Sequence, residues 1–456
     1  MELKGKRILV TGAGKSGLAV ARFLTGKGAC AVLTDAKVPV YPGGELAQLE
    51  EEGVVLALDG YPEVGREAFD MVVMSQGVPL TEKPAVAARA NGITLIGELE
   101  LAYSFARAPI VAITGTNGKT TTTTLLGEIC RKSGLDTLVG GNIGLPLVTE
   151  VESYGPGGVI VAEVSSFQLE TIISFKPRVA VILNITPDHL DRHGDMAGYM
   201  GAKSRIFANQ GPGDFTVLNY DDPLTAGLEE KAKGRTVFFS RLHELGSGVF
   251  VKSGEIVAKI GAHEDVICDI KEIGIPGAHN LENALAAVAA AKAAGIGSDT
   301  IATVLKEFKG VSHRLDFVTE INGVKYINDS KGTNPAASIK ALEAYCEPVV
   351  LIAGGKNKGS DFGAFADAIK ERARALVVLG QSADLIAEAA RARGFTNIQK
   401  AADFTEAVIL AHRSAWPGEI VLLSPACASW DMFKSFEERG DLFKEIVLNI
   451  KRSSCQ

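Results

Sequence analysis

The stretch from Ile110 to Thr124, Ile-Val-Ala-Ile-Thr-Gly-Thr-Asn-Gly-Lys-Thr-Thr-Thr-Thr-Thr, constrains the chain more than any other. A short apolar run stops at a glycine-bearing turn, and a helical pattern begins with Leu125, Leu126 and Ile129. Strand, glycine turn, Lys-Thr and helix is an arrangement that cradles phosphate. Glycines let backbone N–H groups turn inward, and the helix N-terminus adds partial positive charge. Lys119 is placed to meet β- and γ-phosphate oxygens, and the Thr120 hydroxyl to ligate Mg²⁺. The match is a variant, because Ile113 stands where the usual spacing puts its first glycine. A plain helix-capping turn would need the glycines, but not Lys and Thr at this spacing after an apolar strand.

A second glycine pattern lies upstream. Residues 6–17 read as a strand followed by Gly12, Gly14 and Gly17 in G-x-G-x-x-G spacing, and an Ala/Leu-rich helix comes next. The next strand ends at Asp35, about 20 residues on, as in a dinucleotide-binding unit. The same geometry serves any pyrophosphate, including that of a UDP-sugar. Strands near 54–58 and 71–74 continue the alternation, the second leading into Ser75-Gln76-Gly77. The unit closes near Gly97, about half a full dinucleotide domain.

The 456 residues exceed one ordinary core. The pattern divides into an α/β unit at 1–97, a P-loop α/β domain with a mostly parallel sheet and a small β meander (236–268) at 98–310, and a Rossmann-like α/β domain at 311–456. In the middle domain a strand ends at Glu163, a Walker-B-type position for Mg²⁺. Another delivers Thr186-Pro-Asp-His-Leu-Asp-Arg-His193, and a helix over 195–209 follows. In the last, Phe317–Asn328 reads as a hairpin turning at Asn322-Gly323. A net charge of −7 with scattered basic residues argues against nucleic-acid binding. Six dispersed cysteines without a CxxC pair fit a reduced, cytoplasmic setting, with Cys30, Cys268 and Cys346 expected in the core. No apolar run reaches membrane-spanning length.

Gly115-Thr-Asn-Gly-Lys-Thr120, Gly141-Asn-Ile-Gly144, Glu163-Val-Ser-Ser-Phe-Gln168, Asn184-Ile-Thr-Pro-Asp-His189, His313-Arg314 and Asp329-Ser-Lys331 occur in one order. In that order and spacing the chain resembles the Mur ligases, ATP-dependent amide-forming enzymes of peptidoglycan synthesis. Leu423–Gly440 is similar to the branch that adds D-glutamate. The resemblance covers essentially the whole chain. It implies a cytoplasmic, monomeric carboxylate–amine ligase that joins D-glutamate to UDP-N-acetylmuramoyl-L-alanine through an acyl phosphate, using ATP and two Mg²⁺ (or Mn²⁺) ions.

The resemblance also implies residue roles. Gly115, Thr116, Asn117, Gly118, Lys119, Thr120 and Thr121 would hold ATP, with Asn280 at the adenine and Arg314 and Asp329 on the nucleotide. Thr120 and Glu163 would ligate one ion. His189 and Lys203 would ligate a second, the lysine as a carbamate formed with CO₂. Asn142 and Lys331 would meet the transferring phosphoryl group. Read from its residues alone, Lys203 is an ordinary solvated helix lysine, and Asn280 a helix N-cap. Gly14, Lys15, Ser16, Asp35, Lys37, Ser75 and Gly77, with Asn142 and His189, would bind the UDP substrate. Thr333, Lys358, Ser429 and the Phe436 backbone would bind D-glutamate, with Lys356 an open alternative to Lys358. Two departures stand out: Ser75-Gln76-Gly77 where the family often has Ser-Pro-Gly, and Lys37 where it often has arginine. A lysine cannot reproduce a bidentate fork.

Other readings compete. Another family member would take a different amino acid. A folylpolyglutamate-type ligase would lack the 1–97 unit, and a diaminopimelate enzyme usually carries Asp-Asn-Pro-Arg, which is absent. An NAD-dependent oxidoreductase would need a second mononucleotide half before Gly97. A non-catalytic ATP-binding module would leave the charged loops after residue 311 without a purpose.

Overall fold

The structure is a computed structural model, and it describes residues 1–38, 44–261, 263–357 and 360–454, without the side chains of Asp191 and Ser454. Two compact units, Met1–Phe308 and Lys309–Gln456, divide the chain.

The first unit holds two sheets. One is parallel throughout, in the order β3-β2-β1-β4-β5, from β1 (Arg7–Thr11), β2 (Cys30–Asp35), β3 (Val55–Leu58), β4 (Met71–Met74) and β5 (Thr94–Gly97). Strand order reverses at β1, so the loops after β1 and β4 open at a topological switch point, where α/β sheets bind ligands. The second sheet has nine strands in the order β14-β13-β12-β11-β10-β9-β6-β8-β7. Its parallel part is β6 (Ile110–Thr114), β7 (Thr137–Gly141), β8 (Val159–Glu163), β9 (Val179–Ile182), β10 (Phe215–Asn219) and β11 (Arg235–Ser240). The expected meander is the antiparallel run β12 (Gly248–Lys252), β13 (Glu255–Ile260) and β14 (His263–Asp269), which continues this sheet as β12 pairs parallel with β11.

These strands form because their apolar runs are buried on both faces. β6 and β8 are buried along their whole length. The Lys119–Lys132 helix buries Leu125, Leu126, Ile129 and Cys130 and packs against Ala278–Ala293, whose alanines allow close approach. One apolar cluster runs from the first sheet into the second.

A short helix, Glu98–Tyr103, joins the sheets and buries two carboxylates. Glu98 accepts the Val148 N–H at 2.9 Å, and burial pushes its pKa up to about 7. Glu100 accepts the N–H groups of Ile173, Ser174 and Phe175 (2.8–3.0 Å) and the Ser174 hydroxyl. A hydrogen bond to a charged group is worth about 1.5–3 kcal/mol, so the helix staples two loops of the second sheet.

The second unit has one sheet, β15-β16-β20-β17-β18-β19, from β15 (Asp316–Ile321), β16 (Val324–Asn328), β17 (Val349–Gly354), β18 (Ala373–Leu379), β19 (Ile398–Lys400) and β20 (Ile420–Leu423). The β15–β16 hairpin turns at Asn322 (φ +50°) and Gly323 (φ +78°), as its Asn-Gly sequence demands.

Three expectations are corrected. Cys30 and Cys346 are exposed, because one opens a strand and the other lies in the loop before β17; Cys268 is buried. The helix expected over 195–209 spans Met196–Ser204 and tightens to a 3₁₀ turn at Arg205–Phe207. Lys203 is 1% exposed rather than solvated. No helix among the described residues is long and apolar enough to cross a membrane.

Candidate active site

In the first unit the glycine loop after β6 is fixed from beneath. Gly115 (φ +154°) and Gly118 (φ +83°) hold conformations that favour glycine. A Cβ on Gly118 would come within 2.1 Å of Asn283 Oδ1, on the helix packed behind the loop. Asn184, just past β9, clamps the loop: its carbonyl accepts the Thr116 N–H at 3.0 Å, and its side chain exchanges two hydrogen bonds with the Asn117 backbone. Thr120 and Thr121 lie buried in the first helical turn.

Lys119 curls along the loop, with Nζ donating to the carbonyls of Gly115 (2.8 Å) and Thr116 (2.9 Å). Lys203 reaches the same Gly115 carbonyl at 2.8 Å and lies 4.5 Å over the Tyr199 ring. Burial, then the Lys119 charge, bring its pKa down to about 6, with Asp188 opposing. An amine that is neutral near pH 7 is the form that reacts with CO₂, so the residue fits a carbamate. The Tyr199 hydroxyl lies 3.3 Å from Thr116 Oγ1.

Glu163 ends β8 beside Ile113 of β6. Its Oε1 accepts the Asn142 side-chain amide at 2.8 Å. Its Oε2 is buried without a hydrogen-bond partner. A buried carboxylate oxygen left unpaired is costly, and one next to a phosphate loop fits a cation. Among the described residues no group of three or more His, Cys, Asp or Glu could hold a metal ion. Ions here would therefore depend on hydroxyl and phosphate oxygens as well. His189 is half exposed, in a left-handed conformation (φ +52°), with Nε2 3.5 Å from Asp188 Oδ2 and its ring 4.9 Å from that of Phe167. Asn280 sits in the first turn of Ala278–Ala293, which Gly277 caps, and donates to the Pro276 carbonyl at 2.7 Å.

A cleft of about 530 Å³ opens at the switch point of the first sheet, lined by Gly12, Gly14, Lys15, Ser16, Asp35, Ser75, Gln76 and Gly77. The helix Lys15–Gly26 starts there with no side-chain cap, leaving N–H groups for an anion. A Cβ on Gly17 would fall 1.8 Å from the Gly12 carbonyl, whereas one on Gly14 would meet nothing within 4 Å. Gly17 thus serves packing, and Gly14 leaves the backbone open to a ligand. Asp35 accepts the N–H groups of Ala13 (2.8 Å) and Lys37 (3.2 Å), so it shapes the glycine loop itself. Lys37 is exposed in the following turn.

In the second unit, Asp329 is buried after β16. Its Oδ2 accepts the Ser424 hydroxyl at 2.7 Å, and burial lifts its pKa to about 6 against the lowering by Ser424 and Arg314. Lys331 Nζ lies 5.7 Å from the Phe436 ring centre. The Thr333 N–H donates to the Lys331 carbonyl. Ser429 is buried, and its Oγ has no hydrogen-bond partner. The Phe436 carbonyl accepts the Ser330 hydroxyl at 2.8 Å. Arg439, 1% exposed, crosses behind the loop to Ser330 and the Cys427 carbonyl. Lys358 lies outside the described residues. Sequence reasoning passed over Asn184, Tyr199 and Arg439. Asn184 and Arg439 lay within quoted motifs without a role of their own, and nothing local marks Tyr199 or Arg439 as a buried partner of the loops.

Three family models match the chain: the MurD-like N-terminal domain of Mur ligases over residues 6–97, the Mur ligase middle domain over 113–291, and the Mur ligase glutamate ligase domain over 313–427. A protein of Pelotomaculum thermopropionicum named UDP-N-acetylmuramoylalanine–D-glutamate ligase is 67% identical over 447 residues, 98% of each chain. One of the same name from Thermoanaerobacter pseudethanolicus is 49% identical over 454 residues, 99% of this chain and 100% of its own. Among solved structures, UDP-N-acetylmuramate–alanine ligase MurC from Thermotoga maritima aligns with a TM-score of 0.60 at 21% identity, covering 98% of this chain and 100% of that one. MurF from Acinetobacter baumannii aligns with a TM-score of 0.60 at 19% identity, covering 97% and 94%. These two carry the fold alone. The 67% identical relative, with family matches along nearly the whole sequence and the glycine-loop geometry at Gly115–Thr120, means that the chain belongs to the Mur ligase family.

Proposed function

We propose that this chain is an ATP-dependent ligase that adds D-glutamate to UDP-N-acetylmuramoyl-L-alanine. The observation that carries the reading is its 67% identity, over nearly all of both chains, to a relative of that name. A carboxylate is a poor electrophile and must first become an anhydride. The L-alanyl carboxylate takes the γ-phosphoryl group of ATP, giving an acyl phosphate and ADP. The amine of D-glutamate then attacks the acyl carbon, and the tetrahedral intermediate expels phosphate as the amide forms.

Under this reading residues 1–97 take the UDP substrate, 98–310 take ATP, and 311–456 take the amino acid. Gly14, Lys15, Ser16, Asp35, Lys37, Ser75 and Gly77 would hold the UDP portion, which the open face at Gly14 and the uncapped helix support. Lys119 would swing from the loop carbonyls to the phosphates and stabilise charge in transit. Asn142 would orient Glu163 and the substrate carboxylate. Thr120 and Glu163, and His189 with carbamylated Lys203, would hold Mg²⁺, which supplies charge neutralisation between two anions. The unpaired Glu163 Oε2 and the neutral Lys203 amine support those roles. Asn280, Arg314, Asp329 and Lys331 would bind the nucleotide. Thr333, Lys358, Ser429 and Phe436 would bind D-glutamate, and the unpartnered Ser429 hydroxyl supports its part.

The test is ADP and phosphate release with UDP-N-acetylmuramoyl-L-alanine and ATP, adding D-glutamate, L-alanine or a diamino acid in turn. Turnover with D-glutamate is expected. Turnover only with another amino acid, or none, overturns the reading.

A further inference from the structure

The residue that departs from the family's usual Ser-Pro-Gly, Gln76, is placed between two segments of the proposed reaction centre. It follows β4 and lines the UDP-substrate cleft. Its side chain turns away from β4 toward the second sheet, where Gln76 Oε1 is an acceptor for the Ser165 hydroxyl at 3.1 Å, sharing that proton with Gln168 Oε1 at 3.2 Å. Ser165 lies two residues past Glu163 and is itself held in a capping box with Gln168. The Gln76 carbonyl accepts Arg192 Nη1 at 3.1 Å. Arg192 lies three residues past His189, with its side chain 17% exposed.

Arg192 makes this second contact stiff. Its Nη2 pairs with Glu170 Oε2 at 2.6 Å, and its guanidinium lies 3.9 Å from the centre of the Phe167 ring. Phe167 also neighbours the rings of His189, at 4.9 Å, and His193, at 5.6 Å. One loop residue of the first sheet thus touches the segments that carry Glu163 and His189. A proline at position 76 would keep the carbonyl contact and lose the Ser165 contact. A tie of this kind transmits the position of the UDP-substrate loop to two groups that share one centre.

We infer that Gln76 is a positioning residue: with Arg192 as its partner, it ties the UDP-substrate cleft to the loops bearing Glu163 and His189. The inference rests on the metal roles proposed above for those two residues. It does not require the Gln76 side chain to touch substrate.

The experiment compares wild type with Gln76→Met, which keeps the side-chain length and removes the acceptor, and with Arg192→Lys, which cannot span Gln76, Glu170 and the Phe167 face together. In Gln76→Met, kcat falls about 3- to 10-fold, the effect of one neutral hydrogen bond. The Mg²⁺ concentration for half-maximal rate rises by a similar factor. The dissociation constant of UDP-N-acetylmuramoyl-L-alanine without ATP stays within about twofold, since the side chain acts on position and not on binding. Arg192→Lys moves the same quantities the same way, by more. Amide hydrogen exchange in nucleotide-free protein is faster over 163–170 in Gln76→Met, whose lost contact is to Ser165, and over 186–194 in Arg192→Lys. Unchanged kcat and Mg²⁺ dependence in Gln76→Met overturn the inference, as does a loss confined to substrate affinity or exchange that does not change. A wild type without D-glutamate-dependent ADP release would defeat the functional reading instead, and the exchange comparison would still decide the tie.

Discussion

Replacing Lys203 by methionine removes an amine that the fold keeps out of water and near Lys119. In the unfolded chain that amine has an ordinary pKa of about 10.4; in the folded chain burial holds it at about 6. Between those values the unfolded state binds one more proton than the native state, so the lysine protein gains stability as pH rises. The gain is about 1.4 kcal/mol per pH unit. Below about pH 6 both states are protonated, the full cost of burying the charge is present, and pH dependence from this group disappears. From about pH 6.5 to about pH 8.5 wild type should therefore gain about 3 kcal/mol on the methionine variant, some 6 °C in melting temperature at about 2 °C per kcal/mol. Methionine removes one of the two donors to the Gly115 carbonyl and leaves Lys119 in place, a constant offset of about 1 kcal/mol that pH does not change. The assay is calorimetry of both proteins across that range, without nucleotide or metal and with CO₂ excluded. A difference in melting temperature that stays constant with pH would refute a neutral buried amine.

Other outcomes can be checked separately. Lys203→Ala should lose most turnover and regain part of it with added short carboxylic acids, measured as ADP release; no recovery argues against a carbamate at this position. Gly118→Ala puts a side chain at φ +83° and within 2.1 Å of Asn283 Oδ1; it should lower stability by about 1–2 kcal/mol from backbone strain alone and raise the KM for ATP. Adding Asn283→Ala should relieve the clash and leave the strain, as a double-mutant cycle would reveal. Ser429→Ala removes a hydroxyl that has no partner in the structure, so melting temperature should hold while the KM for D-glutamate rises about tenfold, the effect of a hydrogen bond to a carboxylate. Equal effects on the KM for ATP would count against that role.

The parts of the fold that a sequence reading reached are those encoded locally. Strands ending in glycine turns, the Gly12/Gly14/Gly17 loop and the Asn322-Gly323 hairpin each carry their cause within a few residues. What stayed hidden is set by distant partners. Lys203 looks like any helix lysine until Gly115, 88 residues away, supplies the carbonyl that buries it. Glu98 and Glu100 have the composition of a solvated helix face, yet both are buried because backbone N–H groups from 147–148 and 173–175 fold onto them. Asp35 sits where a ribose ligand is expected, and only the folded loop reveals that it accepts the Ala13 N–H. At Gln76 the departure was visible in the sequence, but not the two contacts that give it a purpose.

The short helix Glu98–Tyr103 bears on how such chains can be recombined. The N-terminal family match stops at residue 97, directly before the helix. Both of its carboxylates are satisfied by backbone of the second sheet, so the helix belongs with that sheet even though it follows β5 without a break. A chimera joined at 97/98 keeps each glutamate with its native partners, whereas one joined after Tyr103 imports a foreign staple. Grafted front ends from relatives then have to match the contacts that cross the seam, among them Lys27 with Glu152, Phe23 with Phe105, and Gln76 with Ser165 and Arg192.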